Sequence, residues 1–445
     1  MITFEIIDPI LCKTNQPKSI KPFVQIKKEY WKKGIHHSEQ KSYQKSMIEN
    51  NGNFLLGYLT RICKALDERK ISYEIKGATE VLKIVPVKIP LYNLRPYQKK
   101  LVEIACDVQR GVLVSPTATG KTIIMGHVAA NLKSYRGLFL CHSISLVTQS
   151  FEEFKKMGLN PSLVYGKEKN FDGDIIVSSI QTLSNFPIEK ICDLFDYILV
   201  DECHHVSSFS GTYYKLLTSI LAPIRIGLTA TLPKPESEGA LALEGLIGPV
   251  IGEYTMEEAL EEGMVAKPRI KLIAVPKNEN LRELKTYRDI YKTGIVNNRM
   301  RNKLLARSLL EIKKEGKTAL VYINQIEHID NICLVLDNSL RYEIVKGEVE
   351  NDNREKYKEA LNNRELDFII ASNAWKEGIN IPGIDYVFNA GGGKAEIAVL
   401  QIPGRGLRLA PGKTEIIIVD FIDSAKYLSE HFAERMNIYS GKGWL

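Results

Sequence analysis

The 445-residue chain has no apolar run approaching the ~20 residues that a membrane-spanning helix needs. It also lacks a secretory pattern: the first ten residues carry Glu5 and Asp8 and no basic residue. Its seven cysteines, at positions 12, 63, 106, 141, 192, 203 and 333, form no CxxC pair and no Cys/His spacing of a zinc site. Reduced cytosolic thiols are therefore expected, not a disulfide framework. No low-complexity tract and no short-period repeat is present. What remains is ordinary globular usage, 44% hydrophobic and 25% charged. At roughly 100 to 200 residues per domain, this length makes two or three domains, each with its own core.

The charge is unevenly spread. Residues 1–90 hold 16 basic and 9 acidic side chains, an excess that equals the whole formal net charge of +7. The rest of the chain is neutral. A basic module on a neutral body fits a polyanion partner, and it equally fits a well-solvated basic domain. Within it, Tyr30 and Trp31 lie among Lys27, Lys28, Lys32 and Lys33. Aromatics interleaved with cations read either as a contact to duplex or junction nucleic acid or as a solvated face over a small core.

From about residue 111 a short apolar run, a turn and an amphipathic stretch recur. Strands are expected at Gly111–Ser115, Gly137–Cys141, Asp174–Ser178, Tyr197–Val200 and Arg225–Thr229, with helices over Thr122–Leu132 and from about Ser145. A second series runs through 317–323, 342–345, 367–371, 385–389 and 414–420. Continuous apolar strands alternating with helices indicate parallel sheets covered on both faces. The fold class is thus α/β, two parallel-sheet domains in tandem behind a small basic α+β domain. Prolines and glycines over residues 233–268 mark a junction. The expected division is 1–90, 91–233, a junction at 234–268, and 269–445. In the first segment a helix is expected over Asn53–Lys70, with β-like stretches at Ile71–Ile75 and Glu80–Val87. The turn Asn389–Gly393 reads as flexible.

Two elements carry chemistry. Ser115-Pro116-Thr117-Ala118-Thr119-Gly120-Lys121-Thr122 follows a strand and opens a helix, as a phosphate loop does. Its backbone N–H groups and helix N-terminus make a positive cradle. Lys121 would reach the β- and γ-phosphates and Thr122 would ligate Mg²⁺. Ser115 stands where the general motif has glycine, so a plain Gly-Lys-Thr helix start is the alternative. The second element, Tyr197-Ile-Leu-Val-Asp201-Glu202-Cys203-His204, puts two acids at the end of an apolar strand. Desolvated acids are costly unless they serve something. Asp201 would hold the Mg²⁺, and Glu202 would position and deprotonate the attacking water. An acidic turn capping a helix is the bland alternative.

In order over residues 95 to 408, the motifs resemble those of superfamily 2 helicases of the DExH-box type. Arg95-Pro-Tyr97-Gln98 is similar to the adenine-recognising element, with Gln98 reading the base edge and Arg95 or Tyr97 packing near it. Residues 115–122 resemble motif I, where glycine is commoner than Ala118. Gly227-Leu-Thr229-Ala-Thr231 resembles the motif that couples nucleotide state to domain motion, and His204 would link it to the ATP site. Glu377-Gly378-Ile-Asn380-Ile-Pro382 resembles motif V, with Asn380 where an acid is common. Gln401-Ile-Pro-Gly404-Arg405-Gly-Leu-Arg408 resembles the motif that supplies Arg405 and Arg408 to the γ-phosphate.

The resemblance implies RecA-like domains, ATP and Mg²⁺ as cofactors, and nucleic-acid contacts at His142, Ser143, Ser179, Gln181, Thr182, Ser372 and Asn373. Hydroxyl residues at strand ends are also common helix caps. Trp375 reads as a base stacker or a core residue, and His205 as a helix-start histidine.

The basic N-terminal module is similar to that of phage recombination helicases that drive branch migration and fork reversal. The expected partner is DNA, forked or Holliday-junction duplex, in recombination, repair or replication. A bacterial or phage-infected cytoplasm is the expected compartment. The motif set fixes no oligomeric state and is compatible with a monomer. An RNA-unwinding DExH protein is one alternative. A non-unwinding ATP-gated clamp or nuclease motor subunit is another.

Overall fold

The computed structural model describes residues 1–33, 38–77, 89, 92–166, 168–346, 351–372, 381, 383–393 and 413–445. The chain divides into two compact units, Met1–Pro116 with Gly120–Thr255, and Thr117–Thr119 with Met256–Leu445. The first begins with β1 (Ile2–Ile6), β2 (Leu11–Thr14), β3 (Gln25–Lys33), β4 (Ser38–Ser46), β5 (Asn53–Leu55), α1 (Leu59–Glu68) and β6 (Tyr73–Lys76). It continues through α2 (Pro96–Val108), β7 (Arg110–Val114), α3 (Lys121–Asn131), β8 (Gly137–Cys141) and α4 (Ile144–Lys156). Then come β9 (Pro161–Tyr165), β10 (Glu168–Lys169), β11 (Ile175–Ser179), β12 (Tyr197–Asp201), β13 (Ile224–Thr229), α5 (Glu238–Leu246) and β14 (Val250–Glu253). The main sheet runs β10-β9-β11-β8-β12-β13-β7-β14 and is parallel except at the β9–β10 edge. Every residue of β8, β11, β12 and β13 is buried, as a sheet covered on both faces requires.

The N-terminal module is a four-stranded sheet, β5-β2-β1-β6, with β3 and β4 paired separately as a ribbon. The expected helix over Asn53–Lys70 starts only at Leu59. Asn53–Leu55 pairs instead with β2, which buries Phe54. Once started, α1 buries Ile62 and Leu66, one turn apart. The expected strand at Glu80–Val87 lies outside the described residues.

This module is fastened to α5. A side chain on Gly57 would meet the Glu244 carbonyl at 2.0 Å, and one on Gly245 would strike the Tyr58 hydroxyl at 2.7 Å. The two backbones therefore touch, which only glycine permits. Tyr58 donates a hydrogen bond to Leu241 O at 2.8 Å, and Arg61 Nε donates to Glu244 Oε1 at 2.8 Å.

The division between the units falls inside the expected junction, residues 234–268, but that stretch is not simply a linker. It supplies α5 and then β14, which pairs with β7 and completes the first sheet. The glycine that suggested a linker serves a close approach: a side chain on Gly248 (φ +137) would meet Gly111 Cα at 3.0 Å. The second unit opens within the same stretch, at Met256, and its first strand is β15 (Lys267–Ala274).

The second unit continues with α6 (Arg299–Lys314), β16 (Ala319–Tyr322), β17 (Tyr342–Val345), β18 (Phe368–Ala371), β19 (Tyr386–Asn389), β20 (Glu415–Ile422) and α7 (Leu428–Gly441). Its sheet, β15-β20-β19-β16-β18-β17, is parallel throughout. The turn after β19, read from sequence as flexible, is clamped by side chains. Arg301 donates to Ala390 O, Tyr291 and Asn324 to Gly391 O, and Arg435 to Gly393 O. Both arginines are buried and matched by buried acids, Arg301 by Asp423 at 3.0 Å and Arg435 by Asp420 at 2.7 Å. The pairing is what makes their burial tolerable.

His328, fully buried, has Nε2 2.9 Å from Asn302 Oδ1. Burial, helped by the Arg301 charge, pushes its pKa down from 6.5 to about 3. The unfolded chain therefore binds a proton that the folded chain refuses. This contribution is present above pH 6.5 and is lost as pH falls below it. Urea unfolding of the parent and His328→Gln at pH 7 and pH 5 checks this. The parent should lose about 2 kcal/mol more than the variant on acidification. Equal losses would contradict the buried neutral imidazole.

Candidate active site

The sheet order places the carboxyl ends of β12, β13 and β7 side by side. From β7 the chain enters the loop Ser115–Gly120 and turns into α3. Ser115 N donates to Thr229 O at 2.9 Å, tying the loop to the end of β13. Ala118 sits at φ +71, in the left-handed region, which costs a non-glycine residue about 1 kcal/mol. That strain explains why glycine is the commoner residue there. Gly120, at φ +79, caps α3, and a side chain on it would meet Gln98 Nε2 at 2.7 Å. Gln98 is buried against the phosphate loop, and its Oε1 accepts from Arg95 N at 3.0 Å. Tyr97 is buried in a parallel stack on Tyr254, centroids 3.8 Å apart, whereas Arg95 is exposed. Of the two residues expected near the base, Arg95 is the accessible one and Tyr97 is buried in its stack.

β12 ends at Asp201, 5% exposed, whose Oδ1 accepts from Glu202 N at 3.0 Å. Glu202 then turns the chain in a left-handed conformation, φ 46 and ψ 49. Its Oε1 lies 2.8 Å from Lys121 Nζ and its Oε2 3.3 Å from His204 Nδ1. Burial alone would raise the Glu202 carboxyl. The Lys121 charge and the His204 contact outweigh it and hold the group well below the usual carboxylate range. His204 Nδ1 is also 2.9 Å from Thr229 Oγ1. That hydroxyl donates to Thr231 O at 3.0 Å and accepts from Thr231 N at 3.2 Å. A path of close polar contacts thus joins Lys121, Glu202, His204, Thr229 and Thr231, its Glu202–His204 step being a 3.3 Å charge contact and not a hydrogen bond.

The other expected residues fall into three groups. Ser179 is 1% exposed and caps the turn Ile180–Leu183 by accepting from Thr182 N at 3.1 Å, and it donates to Thr182 Oγ1 at 2.9 Å. Its hydroxyl is a helix cap and is not presented as an outward contact. Ser372 is also buried, 7% exposed. His142 and Ser143 lie half-buried at the exit of β8, Gln181 is exposed, Thr182 is half-buried and Lys27 is exposed. Asn373, Trp375, Glu377, Gly378, Asn380, Pro382, Gln401, Arg405 and Arg408 lie outside the described residues. One arrangement had no signal in the sequence. The rings of His142 and His205 stack in parallel, 3.7 Å apart at 7°, although they lie 63 positions apart in the chain.

The residues present fit a magnesium nucleoside triphosphate. Loop N–H groups, a helix N-terminus and Lys121 suit phosphate oxygens. Mg²⁺ keeps several waters and needs only one or two protein ligands beside substrate phosphates, which Asp201 and the Thr122 hydroxyl satisfy.

The chain matches the family described as the type III restriction enzyme res subunit over residues 91–234, and the helicase conserved C-terminal domain over residues 300–410. The two matches fall in order on the two α/β bodies. The chain belongs to the superfamily 2 helicases. Relatives of this helicase include the ATP-dependent DNA helicase uvsW of Enterobacteria phage T4, 28% identical, covering 74% of this chain and 68% of its own. Another is the DNA 3'-5' translocase XPB2 of Sulfurisphaera tokodaii, 25% identical over 80% of this chain and 88% of its own. Among solved structures, the S. cerevisiae Dbp5 bound to RNA and ADP BeF3 superposes with a TM-score of 0.57 at 14% identity, covering 79% of this chain and 88% of that one. That likeness extends to the RecA-like fold of the two sheets and no further.

Lys121→Ala and Glu202→Gln should both lower ATP turnover by at least ~100-fold. They should differ in binding. The first removes a phosphate cation and weakens nucleotide capture, while the second leaves the cradle and holds ATP. Turnover and nucleotide titration of both variants check this, and near-normal turnover in either removes the site assignment.

Proposed function

We propose that this helicase converts ATP hydrolysis into movement along DNA, unwinding or branch-migrating forked and four-way junctions. The observation that carries the reading is the joining of a phosphate loop and DExH box to a basic module fastened on the same unit. The DNA-directed names of the uvsW and XPB2 relatives support it.

ATP would be held by the 115–122 loop and Lys121, with Gln98 and Arg95 at the base. Mg²⁺, held by Asp201 and Thr122, would neutralise phosphate charge. Lys121 is paired with Glu202 at 2.8 Å. A phosphate oxygen at Lys121 competes for that ammonium, and Glu202 loses the charge that most depresses its basicity. The carboxylate then becomes a better proton acceptor for the attacking water. Arg405 and Arg408 would complete the phosphate contacts, as the family resemblance implies, and arginine fingers of this kind contribute ~10³- to 10⁵-fold. His204 and Thr229 would report the state of the site to the Thr229–Thr231 segment.

The track must be gripped without regard to sequence, hence through phosphates. The β3–β4 ribbon suits that task. Nine residues pair with nine over about 30 Å, and B-DNA's major groove admits a two-stranded ribbon. The register divides its lysines. By backbone register, positions 28, 30, 32, 41, 43 and 45 form one alternating set and positions 27, 31 and 33 the other. The first set, which includes Lys28, Lys32 and Lys41, is the proposed duplex contact.

Reversing Lys28, Lys32 and Lys41 to Glu should flatten the salt dependence of duplex binding by about 0.9 in log K per log salt for each phosphate no longer neutralised. Reversing Lys27 and Lys33 should change it less. Circular dichroism establishes that both variants remain folded. Two folded variants that bind four-way junctions as the parent does would remove the ribbon from the reading.

A further inference from the structure

The stacked histidines belong to neither the phosphate site nor the path through Thr229, yet they touch both ends of a possible connection. β8 and β12 are neighbours, with Val200 opposite Leu140. Their carboxyl ends therefore emerge together, one into His142-Ser143 and the other into Asp201-Glu202. The left-handed turn at Glu202 drops Cys203–His205 into a 3₁₀ turn. This brings the His205 ring flat against His142, at 3.7 Å and 7°. On the same turn the His205 ring lies 4.3 Å from that of His204. His204 contacts both Glu202 and Thr229. Three imidazoles thus bridge the β8 exit to the carboxylate of the hydrolytic site.

We infer that His205 is a positioning residue that transmits nucleic-acid occupancy at the β8 exit, through its stack on His142, to Glu202. This rests on the reading of His142 and Ser143 as a track contact. A backbone held at His142 fixes one ring of the stack. The His205 ring follows it, because parallel rings at van der Waals distance resist separation. His205 shares its turn with His204 and adjoins Glu202 through it, so the carboxylate is ordered when the track is occupied. The coupling available from one ring pair corresponds to about 2- to 10-fold in rate.

The test is ATP turnover of the full chain with and without single-stranded DNA, for the parent, His142→Ala, His205→Ala, His205→Phe and the double variant His142→Ala/His205→Ala. The parent should be stimulated. In His205→Ala the stimulated kcat should fall about 2- to 10-fold with the KM for ATP unchanged. His205→Phe, which keeps a flat ring, should recover most of it. The double variant should lose little more than His142→Ala alone, because without His142 the stack has nothing left to transmit. Full stimulation of His205→Ala, a Phe variant no better than Ala, or additive losses in the double variant would overturn the inference alone. A parent that no nucleic acid stimulates would overturn it together with the track reading.

Discussion

The Lys121–Glu202 ion pair is the contact on which the site depends. It joins the helix after the phosphate loop to the end of β12, and it holds two opposite charges that burial would otherwise penalise. Removing either partner leaves the other charged in a largely desolvated place, which is why such a pair survives only where its opening is useful. On the proposed mechanism the cation would serve phosphate and the carboxylate water, so bound nucleotide would exchange one ion pair for two productive contacts.

Around that pair the fold supplies rigidity where it is needed. Parallel strands buried along nearly their whole length set the positions of Ser115, Asp201 and Thr229 at one edge of the sheet. The left-handed turns at Ala118 and Glu202 store local strain in the phosphate loop and at the end of β12. In the second unit, buried Arg301 and Arg435 hold the carbonyls of the 390–393 turn in place. The basic module is joined to α5 by backbone contact at Gly57 and Gly245 and by the Arg61–Glu244 pair.

The legible parts of the sequence were those in which chemistry demands particular residues close together in the chain. Ser115–Thr122, Asp201–His204 and Thr229–Thr231 are of that kind, and continuous apolar runs marked the central strands. Contacts between distant segments left no such trace. β14 was hidden because its pairing with β7 depends on Gly111 and Gly248 meeting across the sheet. Tyr97 could be placed near the base but not on Tyr254, and His205 could not be placed on His142. Ser179 was balanced between cap and contact by residue type, and only its burial and its bond from Thr182 N decide for the cap.

The most direct test of the account is ATP turnover at one fixed salt concentration across single-stranded, duplex, forked and four-way DNA and RNA of matched sequence. A branched-DNA motor with a basic duplex contact should be stimulated most by forked and four-way DNA, with matched RNA remaining near the unstimulated rate. Stimulation by RNA equal to that by DNA would contradict the account, as would turnover indifferent to every nucleic acid.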